Sequence, residues 1–195
     1  MRWACLVGGT GSNLRALIDD SAPIKLVISH KAGVGALQIA HAAGIPQVVI
    51  TARQYPTREH YDEALLRVLR DNGIEALVLA GFLRLLTDRV VDAYAGRAIN
   101  VHPSLLPAFP GLHAVRQALE YGVRVTGVSV HLVDRGLDSG PIIFQEAVPI
   151  RPGDTDETLS TRIHEVEHRI LPEAVRLLDS HRLDVSGRQV VIREA

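Results

Sequence analysis

A chain of 195 residues, of which 47% are hydrophobic, is long enough to bury a sizeable core and is expected to form one domain or at most two. Its formal net charge of −1 lacks the basic excess that nucleic-acid-binding proteins usually carry. The single cysteine, Cys5, excludes an intrachain disulfide, and no apolar stretch approaches the roughly 20 residues of a membrane-spanning helix, so the sequence predicts a cytoplasmic protein without a signal peptide.

The first half of the chain alternates between short apolar runs and segments with helical spacing. This alternation predicts strand–helix–strand units with right-handed crossovers and a parallel sheet. The predicted strands are 3–7, 24–28, 47–50 and 76–80, and the predicted helices are 12–19, 35–43 and 58–72. Gly44 and Gly73 follow the second and third of these helices, at positions where glycine commonly ends a helix.

The second half of the chain has a different pattern. A proline-rich loop follows residues 100–102, and a helix is predicted near 114–120. Long alternating segments at 125–133 and 141–148 predict antiparallel strands. The sheet is therefore expected to be mixed at one edge.

The last part of the chain predicts a long helix and a short strand. Asp154 followed by Glu157 resembles a capping pair, and the helix over 155–180 is expected to be interrupted by a kink at Pro172. The alternating stretch 189–192 is expected either to add an edge strand or to meet a partner subunit.

A glycine-rich turn, G-G-T-G-S-N-L at 8–14, lies between the first predicted strand and the first predicted helix. Backbone N–H groups at the start of a helix bind anions with the help of the helix dipole, so a phosphate is the expected ligand. The dinucleotide fingerprint G-x-G-x-x-G fits only in part, because Leu14 takes the third glycine position and His30 and Lys31 stand where an acidic residue would end the second strand. A plain tight turn without a ligand remains the alternative.

Asn100 and His102 end an apolar strand two positions apart, so their side chains are expected to project from one face at the ligand-binding edge of the sheet. An Asn supplies an amide donor for a developing oxyanion, and a His can donate to the same centre or transfer protons near neutral pH. Asp138 lies in a turn-rich loop, where its carboxylate could raise the pKa of a nearby histidine and accept a proton from an amine. These residue types suit attack of an amine on a carbonyl, although each of them taken alone is more often structural.

Four segments together resemble those of phosphoribosylglycinamide formyltransferases, over about residues 2–182. They are the glycine-rich turn, N-x-H-P-S-L-L-P at 100–107, F-P-G-L-H at 109–113 and D-x-G-P-I at 138–142. The second segment is also similar to one in methionyl-tRNA formyltransferases and formyltetrahydrofolate hydrolases, whereas the Gly-Ser-Asn-Leu turn favours the ribonucleotide substrate. Gly8 and Thr10 depart from the Ser and Asn that are frequent in this turn, and Ser139 departs from the usual Gly, so differences are expected in the phosphate contacts and in the shape of the loop.

The resemblance implies a Rossmann-like α/β formyltransferase fold, with a mostly parallel twisted sheet, helices on both faces and antiparallel strands in the C-terminal part. It implies a single domain over 1–195, with a phosphate-binding half at 1–100 and a catalytic and folate-binding half at 101–195. The implied activity is transfer of the formyl group of the co-substrate 10-formyltetrahydrofolate to the amine of phosphoribosylglycinamide, in purine (IMP) biosynthesis. The products would be the N-formyl ribonucleotide and tetrahydrofolate.

The resemblance also implies roles for individual residues. The implied catalytic trio is Asn100, His102 and Asp138. The substrate phosphate would be held by Gly11, Ser12 and Asn13, and the ribose hydroxyls by Glu167. The implied folate-binding residues are Arg58, Leu83, Arg84, Leu85, Leu86, Asn100, Asp134 and Asp138, with Phe82 and Val91 beside them.

A further motif points to different chemistry. The pentad H-E-V-E-H at 164–168 satisfies the zinc-protease pattern H-E-x-x-H, and on a helix His164 and His168 would share a face. No third ligand is obvious nearby, so no metal is expected. The pentad is interpreted either as a charged amphipathic helix or as the segment that presents Glu167 to the ribose.

Three other functions fit part of the pattern. A formyltetrahydrofolate hydrolase would pass the formyl group to water, but that family normally carries an extra N-terminal regulatory domain. A methionyl-tRNA formyltransferase would need a C-terminal nucleic-acid domain and a basic surface, and a non-catalytic phosphate-binding module would need the glycine-rich turn alone. The expected partners are therefore small molecules, with neither nucleic acid nor membrane, for a monomer or a homodimer.

Overall fold

The computed structural model describes residues 1–194, which form two compact units, Met1–Ile99 and a second that begins at Asn100. The strands are β1 (Trp3–Val7), β2 (Ile24–Ser29), β3 (Gln47–Val49), β4 (Ala76–Ala80), β5 (Ala98–His102), β6 (Val125–Leu132), β7 (Ile142–Pro149), β8 (Leu183–Ser186) and β9 (Gln189–Ile192). The helices are α1 (Ser12–Asp19), α2 (Gly35–Ala42), α3 (Arg58–Asp71), α4 (Asp88–Ala93), α5 (Ala114–Tyr121) and α6 (Asp156–Asp179). The main, mostly parallel sheet has the order β3-β2-β1-β4-β5-β6-β7, and β8 and β9 form a separate two-stranded sheet.

The first unit is built on parallel strands, as predicted. β1 pairs in parallel with both β2 and β4, and β2 pairs in parallel with β3. Every position of β1 and β4 is buried, which is typical of strands covered by helices on both faces. Large side chains such as Trp3, Leu6 and Leu77 fill this core, together with Leu65 and Leu69 from α3.

The second unit is organised around α6 and the antiparallel pair β6–β7. The antiparallel pairing confirms the prediction of a mixed edge. α6 contacts both of these strands and α5. Its buried residues Leu159, Ile163, Ile170 and Ala174 recur at helical spacing, so one face of the 24-residue helix closes the core of this unit.

The helix is not broken at Pro172, because α6 is continuous from Asp156 to Asp179, and the predicted kink stays a prediction. A proline removes one backbone hydrogen bond from a helix. Pro172 and its neighbours Leu171 and Ala174 are all buried, so the tertiary packing of this face maintains the helix through the proline.

The predicted capping pair was wrong. The residue that caps α6 is Thr155, whose hydroxyl accepts a hydrogen bond from the Thr158 N–H at 3.2 Å. Asp154 instead accepts from the Arg151 N–H at 2.6 Å and from the Arg162 guanidinium at 2.5 Å, and these contacts hold its pKa well below its ordinary value.

Several smaller features differ from the sequence patterns or extend them. Gly44 and Gly73 have φ angles of 67° and 60° and follow α2 and α3, as predicted. α4 and a single 3₁₀ turn at Ala52–Gln54 were not predicted. The stretch 189–192 forms β9, which pairs with β8 and adds no strand to the main sheet. Among the helices of residues 1–194, none is both long and apolar enough to cross a membrane.

Candidate active site

The structure brings Asn100, His102 and Asp138 together in the second unit. The first two lie at the end of β5, and Asp138 lies in the loop that follows β6. Asn100 Nδ2 donates a hydrogen bond to Asp138 Oδ1 at 3.3 Å, and His102 Nδ1 lies 3.4 Å from Asp138 Oδ2. Because both side chains meet one carboxylate, they project from the same face of β5, as their spacing predicts.

The F-P-G-L-H segment supplies further contacts to the trio. The Gly111 N–H donates to Asp138 Oδ2 at 2.7 Å, and the Phe109 carbonyl accepts from His102 Nε2 at 2.8 Å. Phe109 and Asp138 have φ angles of 53° and 48°, a conformation that costs a residue other than glycine about 1–3 kcal/mol. Strain of this kind persists only where surrounding contacts maintain it, and here those contacts are the ones that assemble the trio.

His131 is a fourth polar residue of this cluster, and sequence reasoning missed it. It is 2% exposed and lies near the end of β6. Its Nδ1 lies 2.8 Å from the Leu132 carbonyl, so Nδ1 carries a proton and Nε2 is left to accept from Asn100 Nδ2 at 3.1 Å. His131 thereby orients the Asn100 amide. The available signal was a histidine at the end of an apolar strand, the same cue that marks His102.

A buried serine fixes the N-x-H-P-S-L-L-P loop against β6. Ser129 is fully buried, and its hydroxyl donates to the Ser104 carbonyl at 2.7 Å. The same oxygen accepts from the Leu106 N–H at 3.0 Å and from Gln145 Nε2 at 2.9 Å. The loop that follows His102 is therefore anchored by a satisfied buried network, which sequence spacing did not reveal.

The protonation states of the trio follow from burial and neighbouring charge. Burial lowers the pKa of His102; the hydrogen bond to Phe109 and the charge of Asp138 oppose this shift without reversing it, and His131 adds to it. Burial alone would raise the pKa of Asp138, but the hydrogen bond from the Gly111 N–H and the proximity of His102 lower it. At neutral pH Asp138 is thus ionised and His102 mostly neutral. The expectation that Asp138 raises the pKa of a nearby histidine holds as a local effect, but the net shift is downward.

The contacts of His102 nevertheless suit a second proton. Nε2 faces the Phe109 carbonyl and Nδ1 faces a carboxylate oxygen of Asp138, so both nitrogens have acceptors within reach. His131 Nε2 lies 3.7 Å from Asp138 Oδ1, which is too far for a hydrogen bond. His131 therefore does not compete with His102 for the Asp138 carboxylate. The ring can therefore become charged without rearrangement when negative charge develops beside it.

The glycine-rich turn of the first unit leads directly into α1, which begins at Ser12 as predicted. Gly11 precedes the helix with a φ angle of 89°, and as the N-cap residue it has no side chain to cap the first turn. A Cβ at Gly11 would lie 2.5 Å from the Cα of Ala36. The turn therefore needs glycine both for its conformation and for its close approach to α2, and it leaves the backbone of Ser12 and Asn13 at a helix start that suits an anion.

Gly8, which departs from the usual Ser of the resembling family, faces a histidine. A Cβ at Gly8 would lie 2.0 Å from Cε1 of His30 and 2.9 Å from the carbonyl oxygen of Gly81. The His30 ring meets the Phe82 ring edge-on, with centroids 5.2 Å apart. Position 8 thus requires glycine because of His30. His30 occupies the position at which a dinucleotide-binding protein would have its acidic residue.

Apolar side chains predicted to bind folate lie in the loop after β4. Leu83 and Leu85 are 62% and 55% exposed, which is unusual for large apolar residues and suits contact with a ligand ring. Arg84 lies with its guanidinium 4.5 Å from the centroid of the Tyr61 ring. The loop therefore presents leucines outward while its arginine packs on α3.

Two charged residues predicted to bind folate make hydrogen bonds inside their own units. Arg58 on α3 donates to the Leu86 carbonyl at 3.0 Å. Asp134 Oδ1 accepts from the Gly136 N–H at 3.0 Å and from the Ser139 hydroxyl at 2.7 Å. Both side chains therefore shape the loops to which the resemblance assigns folate contacts.

The H-E-V-E-H pentad lies on α6. The rings of His164 and His168 stack with centroids 6.1 Å apart, and burial lowers the pKa of His168. Glu167 is 5% exposed, so it faces inward and is not part of a solvated charged surface. Within residues 1–194, no group of three or more His, Cys, Asp and Glu side chains is arranged to hold a metal ion.

Comparison with known proteins agrees with this fold. The formyl transferase family model matches residues 1–175. The trifunctional purine biosynthetic protein adenosine-3 of Drosophila pseudoobscura pseudoobscura is 53% identical over 187 residues, which are 92% of this chain and 14% of that protein. The chain spans 14% to 19% of the length of the trifunctional relatives that it matches.

Relatives of similar length match almost end to end. The phosphoribosylglycinamide formyltransferase of Bacillus subtilis (strain 168) is 39% identical over 183 residues, 91% of this chain and 94% of that protein. The crystal structure of glycinamide ribonucleotide transformylase 1 from Symbiobacterium toebii has a TM-score of 0.97 and 44% identity, and the match covers 100% of this chain and 94% of that one. The chain therefore belongs to the formyl transferase family.

Proposed function

We propose that this chain transfers the formyl group of 10-formyltetrahydrofolate to the amine of phosphoribosylglycinamide, a step of purine biosynthesis. The observation that carries the proposal is the convergence of Asn100, His102 and Asp138 on one point of the second unit. An amide donor, an imidazole with acceptors at both nitrogens and an ionised carboxylate are the groups that attack of an amine on a formyl carbon requires. The names of the relatives support the choice of substrates.

In the proposed reaction the neutral amine adds to the formyl carbon, and the carbonyl electron pair moves onto oxygen. Asn100 Nδ2 would exchange one of its partners, Asp138 or His131, for this oxyanion. The developing charge would favour uptake of a proton from solvent by His102, whose ring nitrogens already face acceptors. Asp138 would accept the amine proton. The electron pair on oxygen would then re-form the carbonyl while the bond between N10 of the folate and the formyl carbon breaks, and N10 would receive the proton.

The remaining residue assignments are proposals of the same kind. The turn at Gly11, Ser12 and Asn13 suits a phosphate because it combines a helix start with glycine geometry. The role of Glu167 at the ribose hydroxyls, and those of the predicted folate-binding residues, rest on the resemblance. We likewise propose small-molecule partners, no requirement for a metal, and a cytoplasmic location.

A spectrophotometric assay tests the proposal. Purified protein is incubated with 10-formyltetrahydrofolate, with and without phosphoribosylglycinamide, and release of tetrahydrofolate is followed. We expect release only when the amine is present, and an Asn100→Ala preparation purified in parallel controls for contaminating activity. Release without the amine would indicate a hydrolase, and no release under either condition would leave only a phosphate-binding module.

A further inference from the structure

The loop 133–141, which carries Asp138, is braced from outside by the C-terminal hairpin. Inside the loop, the Ser139 hydroxyl and the Gly136 N–H both donate to Asp134 Oδ1. A Cβ at Gly136 would lie 2.0 Å from the Ser139 hydroxyl, so Ser139 takes the space that glycine leaves open. Ser139, a departure from the resembling family, is thus part of the internal structure of this loop.

The outside contact comes from the tip of the β8–β9 hairpin. Gly187 and Arg188 form its two-residue turn, in which Gly187 has a φ angle of 59°. Arg188 Nη1 donates to the Ser139 carbonyl at 2.8 Å, across 49 positions of sequence. At the open end of the hairpin, Arg182 Nε donates to the Arg193 carbonyl at 2.8 Å. The two strands that support the tip are therefore hydrogen-bonded to each other at this end as well.

We propose that Arg188 is a positioning residue for the formyl-transfer reaction. It ties the carbonyl next to Asp138 to the hairpin and so restricts the loop to the conformation in which Asp138 meets Asn100 and His102. This role rests on the proposed function of the trio. The hairpin lies outside residues 1–175, which the family model matches, so nothing in that match assigns it a role.

The energetic case depends on the conformation of Asp138. Its φ angle of 48° is unfavourable for a residue with a side chain, so the loop adopts this state only when enough contacts hold it. Arg188 is exposed, and its hydrogen bond is one of several, so its loss should lower the equilibrium constant for forming the competent loop about two- to fivefold. A ligand that binds only the competent state loses apparent affinity by at most the same factor.

The expected effect of Arg188→Ala is therefore specific. The KM for 10-formyltetrahydrofolate should rise, by at most about fivefold, because the resemblance assigns folate contacts to this loop. The KM for phosphoribosylglycinamide and the kcat at saturating folate should stay within about twofold. Arg188→Lys, which retains a cationic donor, should recover most of the loss. Gln189→Ala, the adjacent change in the hairpin, is the matched control.

Hydrogen–deuterium exchange of the full chain without ligands separates this inference from the proposed function. We expect faster exchange in peptides covering 133–141 for Arg188→Ala and not for Gln189→Ala, with the melting temperature nearly unchanged. Equal exchange of the 133–141 peptides in Arg188→Ala and Gln189→Ala would overturn the inference that Arg188 restricts this loop. Faster exchange over the whole chain in Arg188→Ala would overturn it as well. If the wild-type protein lacks transferase activity, exchange still decides the brace while the proposed function fails separately. An active enzyme with an unchanged folate KM in Arg188→Ala would overturn the positioning role.

Discussion

Replacing Asp138 with Asn removes a charge from the centre of the cluster while retaining its shape. Asp138 Oδ2 accepts from the Gly111 N–H, and Oδ1 accepts from Asn100 Nδ2. An amide has one acceptor oxygen, so its NH₂ group must face one of these two donors. The substitution therefore disturbs the orientation of the cluster as well as its charge.

The size of the effect follows from the distance between Asp138 and His102. At 3.4 Å and an effective dielectric constant near 20, a carboxylate attracts an imidazolium by about 5 kcal/mol, which at 1.36 kcal/mol per decade is a ceiling of about 4,000-fold in rate. Part of this attraction is offset in the folded protein by burial, which lowers the pKa of His102. Because general acid–base groups typically contribute at least about 100-fold, we expect kcat to fall between about 100-fold and about 4,000-fold.

The pH dependence gives the sharper test. In the wild type, activity should fall at low pH as Asp138 gains a proton. Because the pKa of Asp138 is lowered, this fall should occur at a lower pH than an ordinary aspartate would give. The variant lacks this limb, and His102 loses the neighbour that raises its pKa, so the loss of activity as pH rises should move to lower pH. Profiles of kcat are measured for wild type, Asp138→Asn and the control Asp156→Asn. A profile with unchanged limbs, or turnover within tenfold of wild type, would refute the assigned role.

Three further changes test other parts of the structure. Asn100→Ala should lower kcat about 100- to 1,000-fold with little change in either KM, and near-normal turnover in steady-state assays would remove Asn100 from the mechanism. His131→Phe removes the acceptor that orients the Asn100 amide, so kcat should fall about tenfold, the equivalent of one hydrogen bond; an unchanged kcat would show that the amide is oriented without it. Gly11→Ala places a Cβ 2.5 Å from the Cα of Ala36 at a φ angle of 89°, so the free energy of unfolding should fall by about 2–5 kcal/mol in denaturant titration. Gly9→Ala, which meets no atom within 4 Å, should change that free energy much less; equal stability of the two variants would contradict the steric account.

The elements that could be predicted are those whose local pattern and tertiary role agree. β1 and β4 are continuous apolar runs because they are buried along their whole length, and α1 starts where a glycine turn meets an amphipathic segment. At Pro172 local propensity predicts a break, whereas the burial of its neighbours maintains the helix. α4 is only six residues long, and a segment of that length has too few turns for a periodic pattern to stand out.

The candidate site was partly predictable for a similar reason. Asn100 and His102 are two positions apart on one strand, so their shared face follows from strand geometry. The addition of Asp138 depended on resemblance, because its 38-residue separation from Asn100 has no local signature. The orientation of Asn100 by His131, and the net downward shift of the His102 pKa, depend on burial and on contacts across strands, which only the folded chain defines.

The close approach of Gly8 and His30 means that these two positions can only be varied as a pair. A mutational library restricted to the turn would record position 8 as intolerant, although the main obstacle is a side chain 22 residues further along the chain. Trimming His30 first would remove the two shortest of these contacts, and the Gly81 carbonyl oxygen would still lie 2.9 Å from a new Cβ at position 8. Introducing a serine at position 8 should therefore begin outside the turn, at the end of β2.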